Sequence, residues 1–188
     1  ENLSLTNVQL NNQQGQIYHL GTGVLSIEAL GQLQNQAGQL ITAGRLALQS
    51  DTLLNNSGVI ESAGSINLNH RIINNDDGRI LAGGPQGSVI TSEALLNNRG
   101  IIAVDSELLN ITATTLANNS GYIFANGVLA VNTKELENRQ GEIFAGHRRG
   151  RHRHLPGQGA LDLVAVDEHR EHRVLAHVGA FGLVAGLG

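Results

Sequence analysis

Cysteine, methionine and tryptophan are absent from this 188-residue chain, proline occurs twice, and aromatic residues make up 3% of it. Without cysteine there is no disulfide framework and no thiolate-ligated zinc or iron–sulfur centre. Charge is scarce as well: 15% of residues carry it, against about 25% in ordinary soluble proteins. The net charge of -4 offers nucleic acid no global attraction. No apolar run approaches the ~20 residues a transmembrane helix needs, so no membrane span is expected. The first ten residues have neither the basic start nor the apolar stretch of a signal peptide. What the chain has in quantity is glycine, 24 residues of it.

The composition changes sharply after Gly146. Residues 1–146 hold 6 Lys+Arg and 12 Asp+Glu, whereas residues 147–188 hold 6 Arg and 4 Asp+Glu. Six of the eight histidines fall in the second segment, and it has no Asn, Ser, Thr or Ile. Two regions follow: a body, 1–146, and a compositionally distinct tail, 147–188.

The body repeats itself. The pattern apolar-x-Asn-x-x-Gly begins at Leu10, Leu33, Leu53, Ile73, Leu95, Leu116 and Leu136, with spacings of 20 to 23 residues. Its asparagines are Asn12, Asn35, Asn55, Asn75, Asn97, Asn118 and Asn138. Its glycines are Gly15, Gly38, Gly58, Gly78, Gly100, Gly121 and Gly141. Two residues past each glycine stands an aliphatic, from Ile17 to Ile143. A second glycine column runs through Gly21, Gly44, Gly64, Gly84 and Gly127, with Ser106 as the exception. A further apolar pair precedes each start, as in Leu46/Leu48 and Ile66/Leu68. Leu3/Leu5 occupy the same slots before Leu10, so the chain opens partway through a coil.

Each apolar station alternates apolar and polar residues, which is strand periodicity. The Gly and Asn/Asp residues between stations are turn formers with access to positive φ. Three short strands and three turns make one triangular coil, which cannot bury its inward face alone but can when stacked. The expected fold is all-β: a right-handed parallel β-helix of about seven coils, the hand following the bias of parallel crossovers. At ~4.8 Å per strand the rod is roughly 30–35 Å long. Two glycine columns break each copy of about 20 residues, which disfavours a helical repeat. Stacking sets each asparagine beside the next, and an amide can both donate and accept. An asparagine ladder results, worth ~1 kcal/mol net per bond.

This pattern resembles the repeats of the filamentous haemagglutinin family. The stretches that carry the resemblance are Leu53-Leu54-Asn55-Asn56-Ser57-Gly58-Val59-Ile60 and Leu116-Ala117-Asn118-Asn119-Ser120-Gly121-Tyr122-Ile123. The resemblance covers about residues 3–146. It implies a secreted or cell-surface bacterial adhesin, or the stick of a contact-dependent growth inhibition system. It also implies a long β-helical shaft exported through an outer-membrane two-partner-secretion transporter. The partner at the far end would be a receptor or glycan on a host or neighbouring cell. The family's amino-terminal secretion domain is not recognisable here, nor is a carboxy-terminal toxin module.

Chemistry is thinly represented. A β-helix can also be a polysaccharide lyase or hydrolase, and glycoside hydrolysis usually wants two carboxyls ~5–9.5 Å apart. The only adjacent Asp pair in the body, Asp76-Asp77, sits in the repeat's own turn and reads as a solvated turn or a weak calcium site. Asn-x-Ser/Thr at Asn2, Asn55, Asn110 and Asn118 is expected by chance in so Asn-rich a chain. Thr112, Thr114 and Thr115 make no column, and Tyr18, Tyr122, Phe124 and Phe144 are too few for a stacking platform. His19 and His70 read as surface residues in turn-like settings. No catalytic residue, cofactor or metal site is expected.

The tail has several readings. His152 and His154 invite a metal, and the arginines around them invite nucleic acid, though no aromatics interleave them. A short helix over 162–181 would cap the open end of the rod. The favoured reading is a shift of reading frame. Arg-His-Arg-His, written CGA CAT CGA CAT, becomes Asp-Ile-Asp one nucleotide on, the alternation a coil's strand requires. The function expected of the whole is a passive shaft without enzymatic activity. Direct glycan binding by this segment, or polysaccharide degradation, are the alternatives.

Overall fold

The computed structural model describes residues 1–146 and the strand Val174–Val178. The chain winds as a solenoid of about seven turns whose strands form two sheets, with every strand pair parallel. In chain order the strands begin β1 (Leu3–Asn7), β2 (Leu10–Asn11), β3 (Gln16–His19), β4 (Val24–Ala29), β5 (Gln32–Gln34) and β6 (Gln39–Thr42). From there long and short strands alternate: β7 (Arg45–Leu54), β8 (Val59–Ser62), β9 (Ile66–Asn74), β10 (Arg79–Ala82) and β11 (Ser88–Leu96). They continue as β12 (Ile101–Val104), β13 (Leu108–Ala117), β14 (Tyr122–Ala125), β15 (Val128–Glu137), β16 (Glu142–Ala145) and β17 (Val174–Val178). The first sheet runs β1-β4-β7-β9-β11-β13-β15-β17, with β2 and β5 attached. The second runs β3-β6-β8-β10-β12-β14-β16.

The first two coils have the three separate strands expected, and from β7 on two of the three run together as one. In β7 the apolar pair Leu46/Leu48 and the repeat start Leu53 lie on one continuous strand. The strand bends between them. Buried residues alternate at Leu46, Leu48, Ser50 and Thr52, and Leu53 then follows Thr52 directly. The aligned pairs Ser50↔His70 and Thr52↔Ile72 skip one residue on each strand, Asp51 and Arg71, which face outward at the bend. In the second coil Leu30 and Gly31 interrupt the strand instead, which separates β4 from β5.

Register matches like with like. Leu3 lies against Leu25 and Leu5 against Ile27. Leu46 lies against Ile66, and Ile60 against Ile80. The inward residues make one continuous core from Leu25 to Ile143, with most of its aliphatics at 0–3% exposure. Burying each Leu or Ile contributes about 1.5–3 kcal/mol, so the core is a stack of nearly equal layers. Ser106, which stands where the other coils have glycine, is buried and donates to the Leu108 carbonyl at 3.0 Å. Val174–Val178, inside the segment considered as a capping helix, is a strand aligned with Leu129–Thr133 of β15. The rest of that segment lies outside the described residues, as do His152, His154 and the arginines beside them.

Candidate functional site

The feature repeated in every coil is the turn Asn-x-x-Gly that leads from the first sheet to the second. Its glycine N–H donates to the asparagine carbonyl, at 3.0 Å for Gly58 to Asn55 and 3.1 Å for Gly100 to Asn97. The asparagine side chains form an unbroken chain. Nδ2 of Asn12, Asn35, Asn55, Asn75, Asn97 and Asn118 each donates to Oδ1 of the next asparagine, at 2.7 Å in all six cases. The other amide hydrogen is shared by two carbonyls. For Asn75 these are Gly78 of its own coil, at 3.3 Å, and Ile101 of the next, at 3.2 Å. Asn35 through Asn118 are fully buried, while Asn138 is half-buried. Each interior amide thus has its hydrogens engaged and its Oδ1 paired, and its burial keeps it from a ligand.

The seven turn glycines are not left-handed. Positive φ falls on the residue before each: Gln14, Ala37, Ser57, Asp77, Arg99, Ser120 and Gln140, between 52° and 57°. That conformation keeps the turn inside the inter-coil ladder, since the Ser57 N–H donates to the Asp76 carbonyl one coil on, at 3.1 Å. The glycines serve close approach instead. A Cβ on Gly58, Gly78, Gly100 or Gly121 would fall on the carbonyl oxygen of the asparagine one coil back. In the second glycine column Gly84 does have positive φ, +92°, whereas Gly44 again lacks room, because a Cβ there would meet the Gly23 carbonyl.

Outside the asparagine chain the polar groups also pair coil to coil. Asp76 Oδ1 accepts the Asn98 N–H at 2.8 Å, and the Asp77 carboxylate takes a bidentate grip from Arg99 at 2.7 and 2.8 Å. The pair read as a turn or a weak calcium site thus turns to two different partners. At the strand bend Asp51 receives Arg71 at 2.8 and 3.1 Å. Hydrogen bonding to the guanidinium lowers the pKa of Asp51 and of Asp77. Both pairs are solvent-exposed and contribute little to stability. Among the described residues no three His, Cys, Asp or Glu are grouped to hold a metal ion.

The histidines depart from the sequence expectation. His19 and His70 are strand residues at 8% and 3% exposure, not surface turns. His19 Nδ1 meets Thr42 Oγ1 at 2.9 Å, and His70 Nδ1 meets Ser50 Oγ at 2.7 Å. Burial drives the His70 pKa down to about 4, against a smaller opposing contribution from the Ser50 backbone. Its Nε2 has no partner among the described residues, and with its pKa near 4 the ring is neutral at physiological pH. Of the Asn-x-Ser/Thr sites, Asn55 and Asn118 are consumed by the buried chain of amides. Tyr122, Phe124 and Phe144 cluster with ring centroids 5.0 to 6.3 Å apart.

The buried amide chain carries one asparagine per coil. The haemagglutinin repeat family model matches residues 1–37, 22–114 and 102–146, the whole stretch over which that chain runs. The chain belongs to the haemagglutinin repeat family. One relative that it resembles is a Toxin CdiA of Yersinia pestis, 27% identical over 179 residues. That match covers 77% of this chain and 5% of the relative, so the chain spans about a twentieth of the curated protein it matches. No solved structure matches it. The repeat of this chain corresponds to one solenoid coil, with its Asn and Gly in the turn between the two sheets. No helix among the described residues is long and apolar enough to cross a membrane.

Proposed function

We propose that this chain is a length of shaft in a secreted or surface-exposed bacterial exoprotein of the filamentous haemagglutinin type. It holds an adhesive or toxic tip away from the cell that makes it. The observation that carries this reading is the unbroken chain of 2.7 Å amide bonds through all seven asparagines. Each coil adds about 4.8 Å of length and the same set of bonds, so extension costs no loss of stiffness. The role is mechanical, with no reaction and no cofactor. Family membership and the likeness to a CdiA toxin support two-partner secretion through an outer-membrane transporter. The absence of cysteine suits a chain that crosses the pore unfolded. The partner engaged by the tip is a receptor or glycan on a host or neighbouring cell.

The test is deletion of whole coils in the full-length exoprotein. Removing residues 55–74, one complete repeat, should leave export and tip-dependent activity intact and shorten the shaft by about 4.8 Å. Removing ten residues breaks the register and should abolish surface display. Loss of activity after the one-coil deletion, with surface display unchanged, would overturn the passive shaft.

A further inference from the structure

The outward face of the first sheet behaves unlike the turn side of the rod. One outward column runs Glu28, Gln49, Asn69, Thr91, Thr112 and Asn132, aligned coil by coil and exposed throughout. Beside it a column runs from Ser4 through the small Ser26 and Ala47 to Asn67 and then the exposed Val89. The difference in side-chain size leaves a shallow open groove of about 320 Å³ over these coils, reaching to Thr91. On the turn side every interior asparagine is buried and paired to its neighbours. Here Gln49, Asn67, Asn69, Thr91 and Thr112 make no side-chain hydrogen bond among the described residues. The sheet holds them at fixed positions, one row per coil.

From this juxtaposition we infer that the groove binds a neutral, linear, β-linked glycan lying along the solenoid axis, about one sugar ring per coil. Three features select that ligand. The row spacing of ~4.8 Å is close to the length of one hexose unit in an extended chain. Amides and hydroxyls both donate and accept, as sugar hydroxyls do. Among the described residues of the two columns Glu28 is the only charge, so an anionic polysaccharide finds no counter-charge on coils from Ser26 to Asn132. The groove has no aromatic residue to stack on a sugar face, so each ring binds weakly. Affinity then grows with the number of coils engaged, because the rigid sheet has already met the cost of ordering the polar groups. The inference does not rest on the shaft reading, since it concerns binding by the rod itself.

Isothermal titration of the 188-residue chain with cellohexaose and cellobiose tests it. Cellohexaose should bind on the order of tenfold more tightly than cellobiose, since it spans more rows. Raising salt from low to high should leave the affinity unchanged. The double substitution Asn67→Ala/Asn69→Ala should weaken cellohexaose at least about fivefold by removing two pairs of hydrogen-bonding groups. The single substitution Ala47→Arg should block the groove sterically. Both alter exposed or half-exposed positions, and thermal denaturation of each variant checks that the rod is intact. Absence of saturable cellohexaose binding would overturn the proposal. So would equal affinity for the two sugars, or binding that survives both variants. Preferential, salt-sensitive binding of heparin fragments would reassign the face to an anionic ligand and equally overturn it.

Discussion

Asn97 gives its Nδ2 hydrogen to Asn118 Oδ1 at 2.7 Å while its own Oδ1 receives Asn75 Nδ2 at the same distance, and all three side chains are fully buried. Neither neighbour can turn to water if the middle amide is lost. Asn97→Ala strands a donor on Asn75 and an acceptor on Asn118, at about 1–3 kcal/mol for each group left unsatisfied. A total loss of roughly 2–5 kcal/mol is expected in urea denaturation. Asn98→Ala, one residue away and half-buried, should cost under about 1 kcal/mol by the same measure. Equal costs at the two positions would refute the ladder as a source of stability.

The turn glycines make a steric prediction rather than a conformational one. Gly100→Ala sets a methyl against the Asn75 carbonyl oxygen of the previous coil. The coils cannot separate there without loosening the Asn75–Asn97 bond. A loss of about 2–4 kcal/mol is expected, within the range for overpacking in an interior that cannot yield. A thermal midpoint within a degree of the parent would contradict this.

The residues before those glycines predict the opposite sign. Ser57 and Ser120 hold φ of 55° and 53°, a conformation that costs an L-residue roughly 1–2 kcal/mol. Ser120→Gly should therefore stabilise the rod by up to about 1 kcal/mol, after the extra freedom of glycine in the unfolded chain is subtracted. A rise in the denaturation midpoint with unchanged denaturant dependence is the expected result. A fall would mean that the serine side chain contributes something beyond its backbone.

His70 sets a pH dependence. Its pKa is about 4 in the folded chain, against 6.5 for an unperturbed histidine, so between those values the unfolded state binds more protons. The stability associated with a neutral His70 is complete above pH 6.5 and is lost as pH falls toward 4. The whole shift corresponds to about 3 kcal/mol. Urea midpoints measured from pH 7.5 to 4.5 should fall in the parent chain and fall much less in His70→Gln. Parallel slopes in the two proteins would remove His70 as the cause.

How far the sequence discloses this structure differs from residue to residue. The stacking register is written in the spacing of Asn35, Asn55 and Asn75, because only aligned coils bring amides of equal chain position together. The reason for glycine at Gly58 is not written there. Composition shows a turn, but the clash that forbids a Cβ comes from Asn35, a coil away. The single-residue bend at Asp51 and Arg71 is hidden for a similar reason: it joins two apolar stations that look separate in the sequence. The burial of His70 could have been read, since it continues the inward parity of Ile66 and Leu68, as His19 continues that of Ile17. Polar neighbours masked that parity. The groove depends on the contrast between Ala47 and Gln49 in adjacent columns, which only the sheet register makes visible.

The amide bonds along the turn side all point one way, from each Nδ2 toward the carboxy-terminal coil. The rod is therefore a vector. One end of any stretch offers bare amide oxygens and the other offers N–H groups, so a coil laid on in the reverse sense would set acceptor against acceptor. Growth has a grammar in which each coil can be followed only by another of the same orientation. A chain that emerges from a pore one end first can thus fold behind its own leading edge like a ratchet, each completed coil serving as the template for the next.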